Sequence, residues 1–163
     1  MNELRHYLNK LISEEVLAFE TYKVLNTNFN LKSKFEKSLV GMFDDIAEDE
    51  YSDHAAKLIA YARSLNLEYP KDNAEYCQCA SESAVKAFNI IPTTYDVSVL
   101  LEYAGNLEAD AIRSYQEALA RAYESDEFDE KIISIFVNNL KDEVEHLEKI
   151  QISLEALITA PTA

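Results

Sequence analysis

Toward the C-terminal end, Lys141-Asp142-Glu143-Val144-Glu145-His146-Leu147 sets a glutamate and a histidine three residues apart. On a helix the two project from one face. That face continues through Ile132, Phe136, Asn139, Ile150 and Leu154, so a carboxylate and an imidazole fall inside a seam that should face a core. An ionised carboxylate is costly to bury unless it is paired, hydrogen-bonded or bound to a metal. Glu-x-x-His is what a metal site buried in a helical bundle draws from one of its helices. The remaining ligands must come from other helices.

Three other stretches supply such helices. Residues 2 to 26 carry Leu4, Leu8, Leu11, Glu15, Ala18, Tyr22 and Leu25 at alternating spacings of four and three, a bundle seam interrupted by one carboxylate. Residues 32 to 66 place Val40, Phe43, Ala47, Glu50, His54, Tyr61 and Leu65 inward, with Tyr51 three before His54 and able to lie beside it. Residues 95 to 124 repeat the first seam as Leu101, Ala104, Glu108, Ala111, Tyr115, Ala118 and Ala122. Residues 129 to 158 form the fourth helix. Asn26 to Asn30 reads as a turn. A long connection from 66 to 95 holds Pro70, a possible short helix over 74 to 89, and the breaker Ile91-Pro92-Thr93-Thr94. A link of this length can cross a bundle from end to end. The tail from Thr159 to Ala163 is too short for another helix. His6 is expected at the surface, and Glu14, Glu145 and Glu148 lie off the seams, where solvent should reach them.

The polar interruptions repeat. Glu15 and Glu108, Tyr22 and Tyr115, and Glu50 and Glu143 are each 93 residues apart, whereas His54 and His146 are 92 apart. The register therefore slips by one residue between Glu50 and His54.

Composition is consistent with one helical domain, 1 to 163. Two Gly and three Pro leave few breaks, and 163 residues suffice for a full core. A net charge of −15 argues against nucleic acid or an anionic membrane as partner and is compatible with attracting cations. No apolar run approaches the roughly 20 residues of a membrane span, and the start lacks signal-peptide features, so a cytoplasmic location is expected. Cys77 and Cys79 form a C-x-C pair without a second pair, which leaves a cysteine-closed zinc site without its ligands. They could link chains, bind a metal or be ordinary thiols of a connecting segment.

Helix by helix, over nearly its whole length, the chain resembles the ferritin-like superfamily of di-iron carboxylate bundles, with a bacterioferritin or Dps-like flavour. The words Leu8-Asn9-Lys10-Leu11-Ile12-Ser13-Glu14-Glu15-Val16-Leu17-Ala18 and Leu140-Lys141-Asp142-Glu143-Val144-Glu145-His146 look like that family's first and fourth helices. The resemblance implies an all-α, four-helix bundle with a long crossover between helices two and three. It implies Glu15 and Glu108 as terminal metal ligands, Glu143 as a bridging ligand, and His54 and His146 as one imidazole per metal. Tyr22 and Tyr115 would be donors that orient the carboxylates. The other bridging position departs from the family pattern, since Tyr51 stands where Glu is expected. Glu50 could substitute if the extra residue is absorbed as a π-bulge. Tyr51 could itself ligate as a phenolate, or that half-site could be weakened. The seam and the 93-residue offset both favour Glu50. Met1 and Met42 are the only methionines, and neither fits the haem position of bacterioferritins, so no haem is expected.

Mixed carboxylate and imidazole ligands suit Fe, Mn or Zn, and the resemblance tilts the choice toward iron. The implied activity is a ferroxidase oxidising Fe(II) with O2 or H2O2 for iron storage or detoxification, in a homo-oligomer. A non-cage di-metal oxidase or oxygenase acting on an organic substrate is the alternative, and a bundle with a decayed site is the third reading.

Overall fold

The structure is a computed structural model that describes residues 2–28, 34–90 and 96–159. The breaker Ile91-Pro92-Thr93-Thr94 and the last four residues of the tail lie outside that set. The chain forms α1 (Asn2–Asn28), α2 (Lys34–Glu48), a π-helical turn (Asp49–Ala55), α3 (Ala56–Ser64), α4 (Asn73–Cys79), α5 (Glu82–Ile90), α6 (Val97–Ala122) and α7 (Glu130–Thr159). The first helix runs to Asn28, so Asn26 to Asn28, expected in a turn, are helical, and the rest of that turn falls in residues 29–33, outside the described set.

Because α2, the π-helical turn and α3 run on without a break, they act as a single bundle helix. Around the bundle, α1 packs on this composite helix, the composite helix on α7, α7 on α6, and α6 back on α1. The connection between the second and third bundle helices holds two short helices rather than one. α4 lies against α1, and α5 lies against both α1 and α6.

Local chemistry marks the ends. Asn66 adopts φ 54° just past α3, and Leu67 N–H donates back to the Ala62 carbonyl at 2.9 Å, a left-handed helix stop. Asp72, Asp96 and Asp129 accept from backbone N–H groups three residues on, at 3.0, 3.3 and 2.9 Å, and so open α4, α6 and α7. Glu127 does the same for α1 from a distance, accepting from Glu3 and Leu4 N–H at 3.1 and 3.2 Å.

Two apolar clusters fill the bundle. One gathers Tyr22, Leu25, Phe43, Ile46, Leu101 and Ile150. The other gathers Leu4, Leu8, Leu58, Tyr115, Ile132 and Phe136 toward the opposite end. Every position of the first seam is buried, and so are the third and fourth except Ala111 and Leu154, which are partly covered. The second seam is less regular. Leu39 and Leu58 are buried, Val40 is half-buried, and Leu65, expected inward, is exposed because the chain leaves the bundle there. From Leu11 to Ala18 every residue of α1 is buried, since the bundle covers one side and the crossover the other. No helix among the described residues is long and apolar enough to cross a membrane.

Candidate metal centre

Between the two apolar clusters lies a polar layer. Glu15 comes from α1, Glu50 and His54 from the π-helical turn, Glu108 from α6, and Glu143 and His146 from α7; each is at most 2% exposed. The π-helical turn decides this arrangement. In a regular α-helix, residues 50 and 54 are four apart and an extra residue relative to Glu143 and His146 would rotate one of the pair away. A π turn holds more residues per turn and absorbs the surplus, which is how such bulges serve functional sites. The same register turns Tyr51 outward. Tyr51 is 50% exposed and stacks at 4.7 Å on Phe19, so the structure does not bring it to the cluster. The reason is steric register: Glu50 and Tyr51 are adjacent and cannot share one face.

Glu50 and Glu143 face both imidazoles. Glu143 places Oε1 3.0 Å from His54 Nδ1 and Oε2 3.8 Å from His146 Nδ1. Glu50 places Oε2 3.6 Å from His54 Nδ1 and Oε1 3.3 Å from His146 Nδ1. Each terminal glutamate approaches one imidazole, Glu15 at 3.3 Å from His54 Nδ1 and Glu108 at 3.5 Å from His146 Nδ1. The rings stack with centroids 5.9 Å apart. Ligand atoms of Glu15, Glu50, His54 and Glu143 lie within 4.8 Å of one another, and so do those of Glu50, Glu108, Glu143 and His146. The two groups share Glu50 and Glu143. A looser group of Asp53, His54 and Asp142 lies on the outer side of the His54 ring.

The tyrosines cross between the halves. Tyr22 on α1 donates to Glu108 on α6, and Tyr115 on α6 donates to Glu15 on α1. Burial, with the neighbouring carboxylate charges, pushes both phenols well above the usual tyrosine range, so both remain O–H donors. Asn139 Nδ2 donates to the Tyr115 oxygen at 2.8 Å. Among the described residues Tyr22 has no such partner, and it stacks on Phe43 at 5.4 Å instead.

Two further residues had no role assigned from sequence. Asp142 Oδ2 lies 3.3 Å from His54 Nε2, and Asp49 Oδ2 lies 3.2 Å from His146 Nε2. A carboxylate on Nε2 holds a proton there and leaves Nδ1 as the nitrogen that faces the cluster. The signal was present: Asp49 and Asp142 are also 93 residues apart. Glu14 is a correction. Expected at the surface, it is 5% exposed, because the start of α5 covers it and Ser81 N–H donates to its Oε1 at 3.0 Å. Burial raises its carboxyl to about 7. Glu145, Glu148 and His6 are exposed, and Cys77 and Cys79 are partly buried free thiols on α4.

Packed this closely, the carboxylates and imidazoles shift one another's protonation. Burial and the Glu143 and Glu15 charges push Glu50 well above the usual carboxylate range. Burial raises Glu108 to about 8, with His146 opposing it. Burial also opposes the charge on Glu143, but the His146 and His54 imidazoles prevail and hold it at about 2. Burial pulls both imidazoles down, and the surrounding carboxylates overcome it and raise them above the usual histidine range. Both oxygens of Glu143, Oε1 of Glu50, Oε2 of Glu108 and Nδ1 of His146 are buried without a hydrogen-bond partner. Orphaned atoms of this kind, converging from three bundle helices, fit a pair of cations.

The fold and this layer define the class: the chain is a ferritin-like helical bundle with a buried carboxylate and histidine cluster able to hold two metal ions. Among solved structures it is similar to the bacterioferritin-related protein from Bacteroides fragilis, described as a dodecameric thioferritin, with a TM-score of 0.79 and 25% identity over 96% of this chain and 87% of that one. No protein-family model and no curated protein matches the chain.

Proposed function

We propose that this protein binds Fe(II) as substrate at the six-residue cluster and oxidises it, serving iron storage or detoxification. The observation that carries the reading is the pair of overlapping four-residue groups sharing Glu50 and Glu143. Each group offers three carboxylates and one imidazole, a donor set suited to iron, with Mn or Zn able to occupy it. Two Fe(II) give up one electron each. O2 with two protons then becomes H2O2, or H2O2 with two protons becomes two waters.

The chain's own residues do four things in this reaction. Glu50 and Glu143 span both cations and keep them adjacent. Glu15 and Glu108 close the two ends, each fixed by a tyrosine of the other half. Asp49 and Asp142 keep His54 and His146 in the tautomer that presents Nδ1. The protons held by Glu50, Glu108 and both imidazoles leave as cations enter, which couples binding to pH. The cavity adjoining the cluster holds about 10 Å3, room for one water-sized body, which favours a small oxidant over an organic substrate.

A homo-oligomer is part of the proposal. Val137, Val144, Ile152 and Ile158 are 39 to 73% exposed and share one side of α7, an apolar stripe suited to burial between copies. The B. fragilis protein is described as dodecameric.

The test is an anaerobic Fe(II) titration of metal-free protein followed by admission of air or H2O2, with mass measured in solution. Two Fe(II) per chain, oxidised rapidly, in a particle several times 18.6 kDa, is expected. Absence of binding overturns the reading.

A further inference from the structure

The pseudo-symmetry of the bundle fails at a buried position on the seam of α7. Residues 93 apart correspond between the halves, and the counterpart of Asn139 is Ile46. Both are fully buried. One turn before each stands a matching phenylalanine, Phe136 before Asn139 and Phe43 before Ile46. Each phenylalanine packs on one of the two tyrosines, but not in the same way. Tyr22 lies nearly parallel to Phe43, at 17° and 5.4 Å, whereas Tyr115 meets Phe136 at 61° and 6.1 Å. Toward the cluster the tyrosines match. Tyr115 donates to Oε1 of Glu15, whose Oε2 lies 3.3 Å from His54 Nδ1. Tyr22 donates to Oε1 of Glu108, whose Oε2 lies 3.5 Å from His146 Nδ1. Among the described residues only Tyr115 also accepts a hydrogen bond, from the Asn139 amide at 2.8 Å.

The direction of that hydrogen bond follows from its neighbour. The Tyr115 proton is committed to Glu15, so the phenol oxygen can only accept, and Asn139 must present Nδ2 rather than Oδ1. Oδ1 is then buried without a hydrogen-bond partner among the described residues, a cost that a hydrocarbon side chain would not carry. Ile46 shows that a hydrocarbon satisfies the fold at the equivalent position. What the amide adds is a better-aimed Tyr115. An O–H whose oxygen also accepts a hydrogen bond is polarised into a stronger donor, and the phenol is held on Glu15. A donor fixed on Oε1 leaves Oε2 aimed at the cation position beside His54. We propose that Asn139 is a positioning residue that makes the two cation positions unequal, so that the one between Glu15 and His54 binds more tightly and fills first. The role rests on the reading of the cluster as a metal centre. Asn139 acts through Tyr115 and Glu15 and touches no cation itself.

The Asn139→Leu variant tests this with Co(II) as the probe. Leucine keeps the shape of asparagine and removes the donor. Metal-free wild-type and variant protein are loaded with one Co(II) per chain and crystallised, and the anomalous peaks beside His54 and His146 are compared. An affinity difference of about tenfold, the lower end for outer partners of metal ligands, divides that Co(II) about three to one between two independent positions. The wild type is expected to show this ratio in favour of His54. Asn139→Leu is expected to show about one to one, with two Co(II) per chain still bound at saturation. In a Tyr115→Phe background the same substitution should move the ratio no further, because the phenol that carries the effect is gone. A further shift there would mean that Asn139 acts by packing and would overturn the role. Equal peaks in the wild type, a lead for His146, or a ratio that Asn139→Leu leaves unmoved also overturns it, while leaving the cluster reading intact. If the wild-type cluster takes no Co(II), the cluster reading itself fails. Should Asn139→Leu not fold, the wild type and Tyr115→Phe decide: a lead for His54 that Tyr115→Phe abolishes supports the role, and any other pattern overturns it.

Discussion

The two halves of the bundle reach nearly the same arrangement by different local means. On α7, Glu143 and His146 are three apart on a regular helix. On the second bundle helix, Glu50 and His54 are four apart, and a π-helical turn brings them to equivalent places. Each half is also completed by the other, since Tyr22 holds Glu108, Tyr115 holds Glu15, Asp49 holds His146 and Asp142 holds His54. The conserved quantity is therefore the position of the ligand atoms, and the helix gives way to it. A π turn is rare in helices generally, and its presence at this one place reflects the demand of the cluster.

That comparison can be broken at its shared element. Glu143→Gln removes a carboxylate that both groups use. The expected outcome is loss of at least one of two bound cations and slower Fe(II) oxidation by at least about 100-fold, beyond the 10- to 100-fold typical of outer partners. Stoichiometry by anaerobic titration and initial oxidation rates check it. The outer carboxylates come next. Asp142→Asn and Asp49→Asn should each weaken one cation, with affinity falling about 10- to 100-fold while the other cation stays. Competitive Zn(II) titration separates the halves: two equal losses in both variants would mean that the pairing across halves is not as described.

A pH series separates the filled from the empty cluster. In the metal-free protein Glu50, Glu108 and both imidazoles keep protons above their ordinary ranges, so the folded chain binds more protons than the unfolded one. Its stability falls as pH rises from about 5 to 8. Glu143, held at about 2, contributes stability that is complete above about pH 4.5 and is lost only as pH falls through 2. Cations displace the protons, so the loaded protein loses the downward slope. Melting temperatures with and without Zn(II) across this range measure both. The smallest effect is expected from deletion of Tyr51, which restores Glu-x-x-His on a regular helix. Two bound cations and an unchanged melting temperature would show that the π turn only absorbs an extra residue, whereas loss of one cation would show that it shapes the His54 half.

Much of this was legible because the seams are regular. Two carry a glutamate and a tyrosine at seven-residue spacing, and the 93-residue offset points to Glu15, Glu50, Glu108, Glu143, Tyr22 and Tyr115 without any structure. Whether Glu50 or Tyr51 faces inward was not legible, because a one-residue slip rotates a helix by about 100° and the sequence does not say where it is taken up. Glu14 was invisible for a different reason. Its burial comes from α5, an element outside the four seams, and seam periodicity says nothing about what covers the outer face of α1. Asp49 and Asp142 obey the repeat but flank the seam, so only their reach to Nε2 reveals them.

The most direct test is anomalous diffraction from crystals loaded with Zn(II) or Mn(II). Two peaks are expected between Glu50 and Glu143, one beside each Nδ1, roughly 3.5–4 Å apart as in two-metal sites, with Tyr51 remaining on Phe19. A single peak, a peak held instead by Asp53, His54 and Asp142, or Tyr51 turned inward onto the metal would contradict the account.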